Sequence, residues 1–148
     1  MANAIFDPGR EGILDATISI PVAVFKVIPV RSYTFSAAHK FLSDATTAGA
    51  VLAVTQALSP TLATKTFTSG VFGAANLTPA YAAMTAGAAV PALLIVQSSA
   101  VTGGADVAAT AARLVAYLDT GTLLPFTPNG GDVNIAWDNT AATKIFKL

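Results

Sequence analysis

His39 is the only imidazole in the chain, so a Ser–His–Asp triad can be assembled through this residue alone. It lies in Phe35-Ser36-Ala37-Ala38-His39-Lys40-Phe41, and no Gly-x-Ser-x-Gly elbow exists to present a nucleophile. The expected role is a half-buried loop histidine bonded to a carbonyl. Carboxylate chemistry is equally thin. Glu11 is the single glutamate, and a two-carboxylate hydrolase needs two of Asp7, Asp15, Asp44, Asp106, Asp119, Asp132 and Asp138 facing one cleft. Most of these stand beside Gly, Asn, Ser or Thr, where aspartate caps turns. Asp119, Asp132, Asp138, Asn129 and Asn134 offer the oxygens a calcium ion takes. EF-hand spacing is absent, however, and a strand separates Asp132 from Asp138, so turn capping is the expected role here too. There is no cysteine for zinc. Neither Thr102-Gly103-Gly104-Ala105 nor Asn129-Gly130-Gly131-Asp132 continues into a Walker loop. Lys144 and Lys147, which flank Ile145-Phe146, are too few for a phosphate backbone. These residues predict no enzyme, no cofactor and no metal.

The composition agrees. The 148 residues suit one domain. They are 53% hydrophobic and only 11% charged, against about 25% charged in an ordinary soluble domain. Such a chain is not intrinsically disordered. Its zero net charge argues against a nucleic-acid partner. Low charge points instead to surface hidden against other subunits. No basic region followed by an apolar stretch opens the chain, so no signal peptide is expected. The most apolar window, Ala80 to Val96, is interrupted by Thr85, Gly87 and Pro91, and no membrane span is expected from it.

The elements that would position these residues are mostly strands. Four of the sixteen charges fall between Asp7 and Asp15, and Asp7-Pro8-Gly9 signals a turn. Residues 1–15 therefore read as an arm or a short helical turn, mobile when alone, and deletion of Met1 to Gly12 is expected to leave the fold intact. Residues 16–148 read as a single β domain. Ser19 to Val30 is apolar on both faces and reads as a central strand ended by Pro21 and Pro29. Tyr33 to Asp44 is a long connection. Strands are expected at Val51–Ala57, Ala63–Thr68, Val71–Thr78 (a hairpin through Ser69-Gly70, broken at Pro79), Ala92–Gln97 and Leu114–Asp119. Val107–Ala112 reads as a loose turn. After the Thr127–Asp132 turn, Val133, Ile135 and Trp137 share one face, which predicts Trp137 buried beside the other two. Ile145–Leu148 is a last short strand. About eight short strands without a helical stripe predict an all-β sandwich or jelly-roll-like barrel with an extended N-terminal arm.

Several stretches resemble a family of small structural proteins, capsid decoration-like, from tailed bacteriophages. They are Phe6-Asp7-Pro8-Gly9-Arg10-Glu11-Gly12, Tyr33 to Asp44, Leu114 to Gly121, and Leu124 to Asp138 followed by Lys144 to Leu148. Met84 to Ala109 departs from the family pattern in being more apolar and richer in Ala and Gly. The resemblance implies a virion component assembled in the host cytoplasm. It implies the major capsid protein as partner, self-association as a trimer, and a decoration (cement) role on the outer capsid lattice. Contacts are expected at Phe6, Arg10 and Glu11 in the arm, at Val90 and Leu93 in the apolar segment Ala86–Val96, and at Phe146. A neck, tail or fibre-attachment component is the alternative within that family. A glycan-binding sandwich with Trp137 as its stacking platform is the alternative outside it.

Overall fold

A computed structural model describes residues 3–48, 60–138 and 145–148. The expected strand at Val51–Ala57 and Lys144 lie outside the described residues. The fold is mainly β, with antiparallel sheets, no closed barrel among the described residues, and a sandwich-like packing. Among the described residues, nine strands and two helices run in the order β1 (Ala4–Ile5), α1 (Asp7–Leu14), β2 (Val24–Val30), α2 (Leu42–Ala48), β3 (Thr66–Thr68), β4 (Val71–Gly73), β5 (Leu77–Tyr81), β6 (Ala92–Ser99), β7 (Arg113–Leu118), β8 (Val133–Ile135) and β9 (Phe146–Lys147).

The principal sheet has the order β1-β7-β6-β2. β6 is its centre and is buried at every residue, as its unbroken apolar run predicts. Alternate side chains feed two cores. Phe25, Val27, Leu93 and Ile95 face one way, toward Phe72 of β4, Tyr81 of β5, Ile135 of β8 and Phe146 of β9. Ile28, Val30, Leu94 and Val96 face the other, toward Phe6, Tyr33, Leu42 and Ala45. The smaller sheets β3-β4-β9 and β5-β8 cover the first face. The connection after β2 and α2 cover the second.

β2 is not central, as its two apolar faces suggested, but lies at the sheet edge. Both faces are covered, which gives the same sequence pattern. Its outer edge is closed by residues 60–62: Val27 N–H donates to Pro60 O at 3.2 Å, and Leu62 N–H to Phe25 O at 2.8 Å. Pro29 has the parity of Val27, so its missing N–H falls on that outer side and costs the β2–β6 ladder nothing. The strand starts at Val24 rather than Ser19, because residues 20–22 form a turn. The β3–β4 hairpin turns at Ser69 and Gly70, both with positive φ. Pro79 lies inside β5 and does not end it; the β5–β8 register shifts between Leu77 and Tyr81.

The N-terminal segment is the largest correction. It is not an extended arm. β1 pairs with β7 through Ala4 and Tyr117 and through Ile5 and Ala116. Phe6 N–H then donates to Val115 O at 3.0 Å, and α1 lies against the next residues of β7. Gly9 permits this contact: a Cβ there would stand 2.7 Å from Leu114 O. The segment therefore covers the outer edge of β7, the kind of edge that natural sheets protect. α2 falls in the Tyr33–Asp44 connection and beyond. Asp44, in its first turn, accepts from Phe41 N–H at 2.9 Å and Lys40 N–H at 2.8 Å, reaching back in the manner of a capping box.

The three tyrosines of the chain are all in these cores. Burial pushes the Tyr33 phenol up to about 12 and raises Tyr81 and Tyr117 above the usual phenol range. Unfolded tyrosines ionise near pH 10. Above that pH the folded chain holds more protons than the unfolded one, so stability falls as pH rises from about 10 toward 12. In an alkaline titration, phenolate absorbance is expected to stay flat past pH 10 and to rise together with loss of the β circular-dichroism signal. A phenolate step near pH 10 with the β signal intact would contradict this packing.

Candidate functional site

The structure scatters the chemistry-bearing side chains. His39 is half-buried, and its Nδ1 is 2.8 Å from the Tyr33 hydroxyl; its side-chain partner is a phenol, not the expected carbonyl. The aspartates serve local geometry or a single cation. Asp15 accepts from the Thr17 hydroxyl and amide, which hold its carboxyl below the usual carboxylate range. The amides of Phe41 and Lys40 do the same for Asp44. Asp132 accepts from Ala83 N–H at 2.8 Å. Asp106 meets Lys26 at 2.7 Å and ties the loop after β6 to β2. Among the described residues no three His, Cys, Asp or Glu side chains gather where they could hold a metal ion. Nor is any helix long and apolar enough to cross a membrane.

The expected contact residues divide sharply. Phe6, Val90, Leu93 and Phe146 are buried in the chain's own cores. Their apolar character serves internal packing: Phe146 stacks on Phe72 at 4.9 Å, and Phe6 packs on Phe35 at 5.1 Å. Of the segment Ala86–Val96, only Ala86–Ala89 and Pro91 are exposed. Arg10 and Glu11 do face outward, on α1. With Asp7 and Leu14 they form its outer stripe, opposite the buried Gly9 and Gly12. Leu14 is 78% exposed, the most exposed large apolar side chain among the described residues. The sequence did carry a signal for it, the i, i+3, i+4, i+7 spacing of positions 7, 10, 11 and 14.

No protein-family model, curated protein or solved structure matches the chain.

A cavity of about 730 Å³ opens where β1, the loop after β7, β8 and β9 meet. Its floor is apolar and buried, made by Ile5, Leu93, Leu118, Ile135, Ile145 and Phe146. Its rim is exposed and polar, with Asn3, Thr120, Thr122, Asp138 and Lys147. Asn3 Oδ1 accepts from the amides of Asp119 and Thr120, at 3.1 and 3.0 Å, and so fixes the rim loop to the N-terminal segment.

Trp137 forms part of the wall. It is half-buried, not enclosed like its neighbour Ile135. Its indole N–H donates to Ala75 O at 3.1 Å, and its amide to Asn76 Oδ1 at 3.0 Å. The expected alternation holds through Ile135, but β8 ends there, and Trp137 packs on the margin of the core. Trp137→Ala is therefore expected to cost about 2 kcal/mol, below the range of about 3–5 kcal/mol for a fully buried Trp. Urea unfolding monitored by circular dichroism measures it. A loss of 4 kcal/mol or more would mean that the ring is enclosed.

Proposed function

We propose that the chain is a structural component of a tailed-phage virion, placed as a decoration (cement) protein on the outer capsid lattice. The reading rests on the stretches that resemble that family. The observation that carries it is their convergence. Phe6, Phe35 and Tyr117, one from each of three such stretches, pack in sequence at 5.1 Å per pair, and Tyr33 joins Tyr117 at 5.6 Å. The shared residues thus brace the N-terminal segment, the long connection and β7 against one another. A chain whose familiar residues are bracing residues is suited to bearing load, without chemistry of its own.

In this proposal the partner is the major capsid protein, and the attachment surface is the outer stripe of α1, with Leu14 flanked by Arg10 and Glu11. An exposed leucine beside charges of both signs suits a contact with an apolar centre and a polar rim. Self-association as a trimer belongs to the same proposal. The exposed Ala86–Ala89 loop is the part of the apolar segment that offers a surface for it.

The test uses purified capsids stripped of the protein. Leu14→Asp in the full chain should melt like the wild type and bind the capsids at least tenfold more weakly. Equal binding would remove α1 as the anchor. Densitometry of intact virions separates the placements: hundreds of copies per particle fit decoration, while a few to dozens fit a neck, tail or fibre-attachment component.

A further inference from the structure

We propose that the cavity beside Trp137 is a binding site for a neutral saccharide. The proposal stands on the cavity and does not depend on where the chain sits in a particle. At about 730 Å³ the cavity falls in the range of small-molecule sites, about 300–1,000 Å³. Its chemistry is divided by depth. The floor offers only carbon, from Ile5, Leu118, Ile135 and Phe146, while the rim offers the hydroxyl of Thr122, beside Thr120, whose hydroxyl donates to Asp119.

Trp137 is held at both its indole and its backbone N–H, by Ala75 O and Asn76 Oδ1. Its N–H is thus already used, and what it gives the cavity is ring carbon in a fixed place, the amphipathic use of tryptophan where one end is apolar and the other wet. A sugar ring has the matching division, an apolar C–H face and an edge of hydroxyls. Other ligand classes fit less well. Among the described residues the rim carries one ammonium, Lys147, and one carboxylate, Asp138, which together bring no excess of charge for a phosphate or an acidic sugar. An acyl chain would leave its length against an exposed polar rim.

Trp137 is the chain's single tryptophan, so intrinsic fluorescence reads this cavity and no other site. The experiment screens the full chain against an array of neutral oligosaccharides and titrates each hit by tryptophan emission. A hit is expected to shift the emission and to reduce quenching by acrylamide. Thr122→Arg, at an exposed rim position, should fold like the wild type and weaken binding at least tenfold by filling the mouth. Trp137→Ala, which lacks the reporter and is read on the array itself, should lose the hit; if that variant does not fold, Thr122→Arg decides alone. Ser32→Ala, at an exposed position outside the cavity, should bind like the wild type. An array without hits at millimolar sugar, hits confined to acidic glycans, or unchanged binding by Thr122→Arg would each overturn the proposal.

Discussion

Phe6→Ala is expected to lower the stability of the isolated chain by about 3–5 kcal/mol, the cost of truncating a large core side chain. For a domain of this size that is a fall in Tm of roughly 10–15 °C. The side chain is 0% exposed. It packs on Phe35 within the core that also holds Tyr33 and Tyr117, and its amide continues the pairing of the N-terminal segment with β7. Net stabilities run to about 5–15 kcal/mol, so this one truncation removes a large share. The reading of Phe6 as a partner contact on a detachable arm predicts the opposite, an unchanged Tm and weaker capsid binding. Thermal melts of the two proteins without capsid separate the two readings. Deletion of residues 1–12 follows the same logic. It strips Phe6 and β1 and uncovers the edge of β7, so it is expected to destabilise the fold rather than leave it intact.

Gly9→Ala gives the second large effect, and its sign is the informative part. In an exposed helix interior this substitution gains about 1 kcal/mol from propensity. Here the added Cβ would lie 2.7 Å from Leu114 O and 3.0 Å from both Val115 Cα and Val115 O. These neighbours are backbone of a paired strand and cannot rotate away, so α1 itself would have to lift. A loss of about 2–3 kcal/mol is expected, the upper part of the overpacking range. Gly121→Ala is the control, since a Cβ there meets nothing within 4 Å; it should change stability by less than about 0.5 kcal/mol. Chemical denaturation of both variants measures the difference. A Gly9→Ala protein as stable as the wild type would mean that α1 does not rest on β7.

What the sequence made legible follows from which forces act locally. β6 and β7 were plain, because a strand buried on both faces needs an unbroken apolar run whatever its neighbours are. The Ser69-Gly70 hairpin was plain because its turn demands particular residues. The role of the first fifteen residues was not. Their charges are real, but they lie on one side of a two-turn helix. Its inner side is glycine, which carries no hydrophobic signal and is informative only once the opposing backbone is known. β2 was misplaced for a related reason, since an edge closed by residues 60–62 leaves the same pattern as a central position. α2 was hidden because Ser43 and Asp44 also suit a loop. Of the expected contact residues, the four apolar ones were read from a property that core and interface share. Arg10 and Glu11 were read from charge, which the core excludes, and they are the two that face outward. Trp137 as a ligand platform is legible only as an alternative, and the cavity beside it is not legible at all. Strand alternation said nothing of where β8 would stop.

The tie between Asn3 and Asp119 spans 116 positions, and β1 must wait for β7 to pair. During translation β1 is thus made before the other strands of the principal sheet and is used only after the last of them. A nascent chain that has not yet emerged through Leu118 has no partner for Ala4 and Ile5 and nowhere to bury Phe6. Distant pairings of this kind slow folding, because chain closure must precede the contacts that reward it. The sheet therefore closes only after most of the chain has been synthesised. Until then Phe6 is available to a chaperone, or to the same segment of a neighbouring nascent chain.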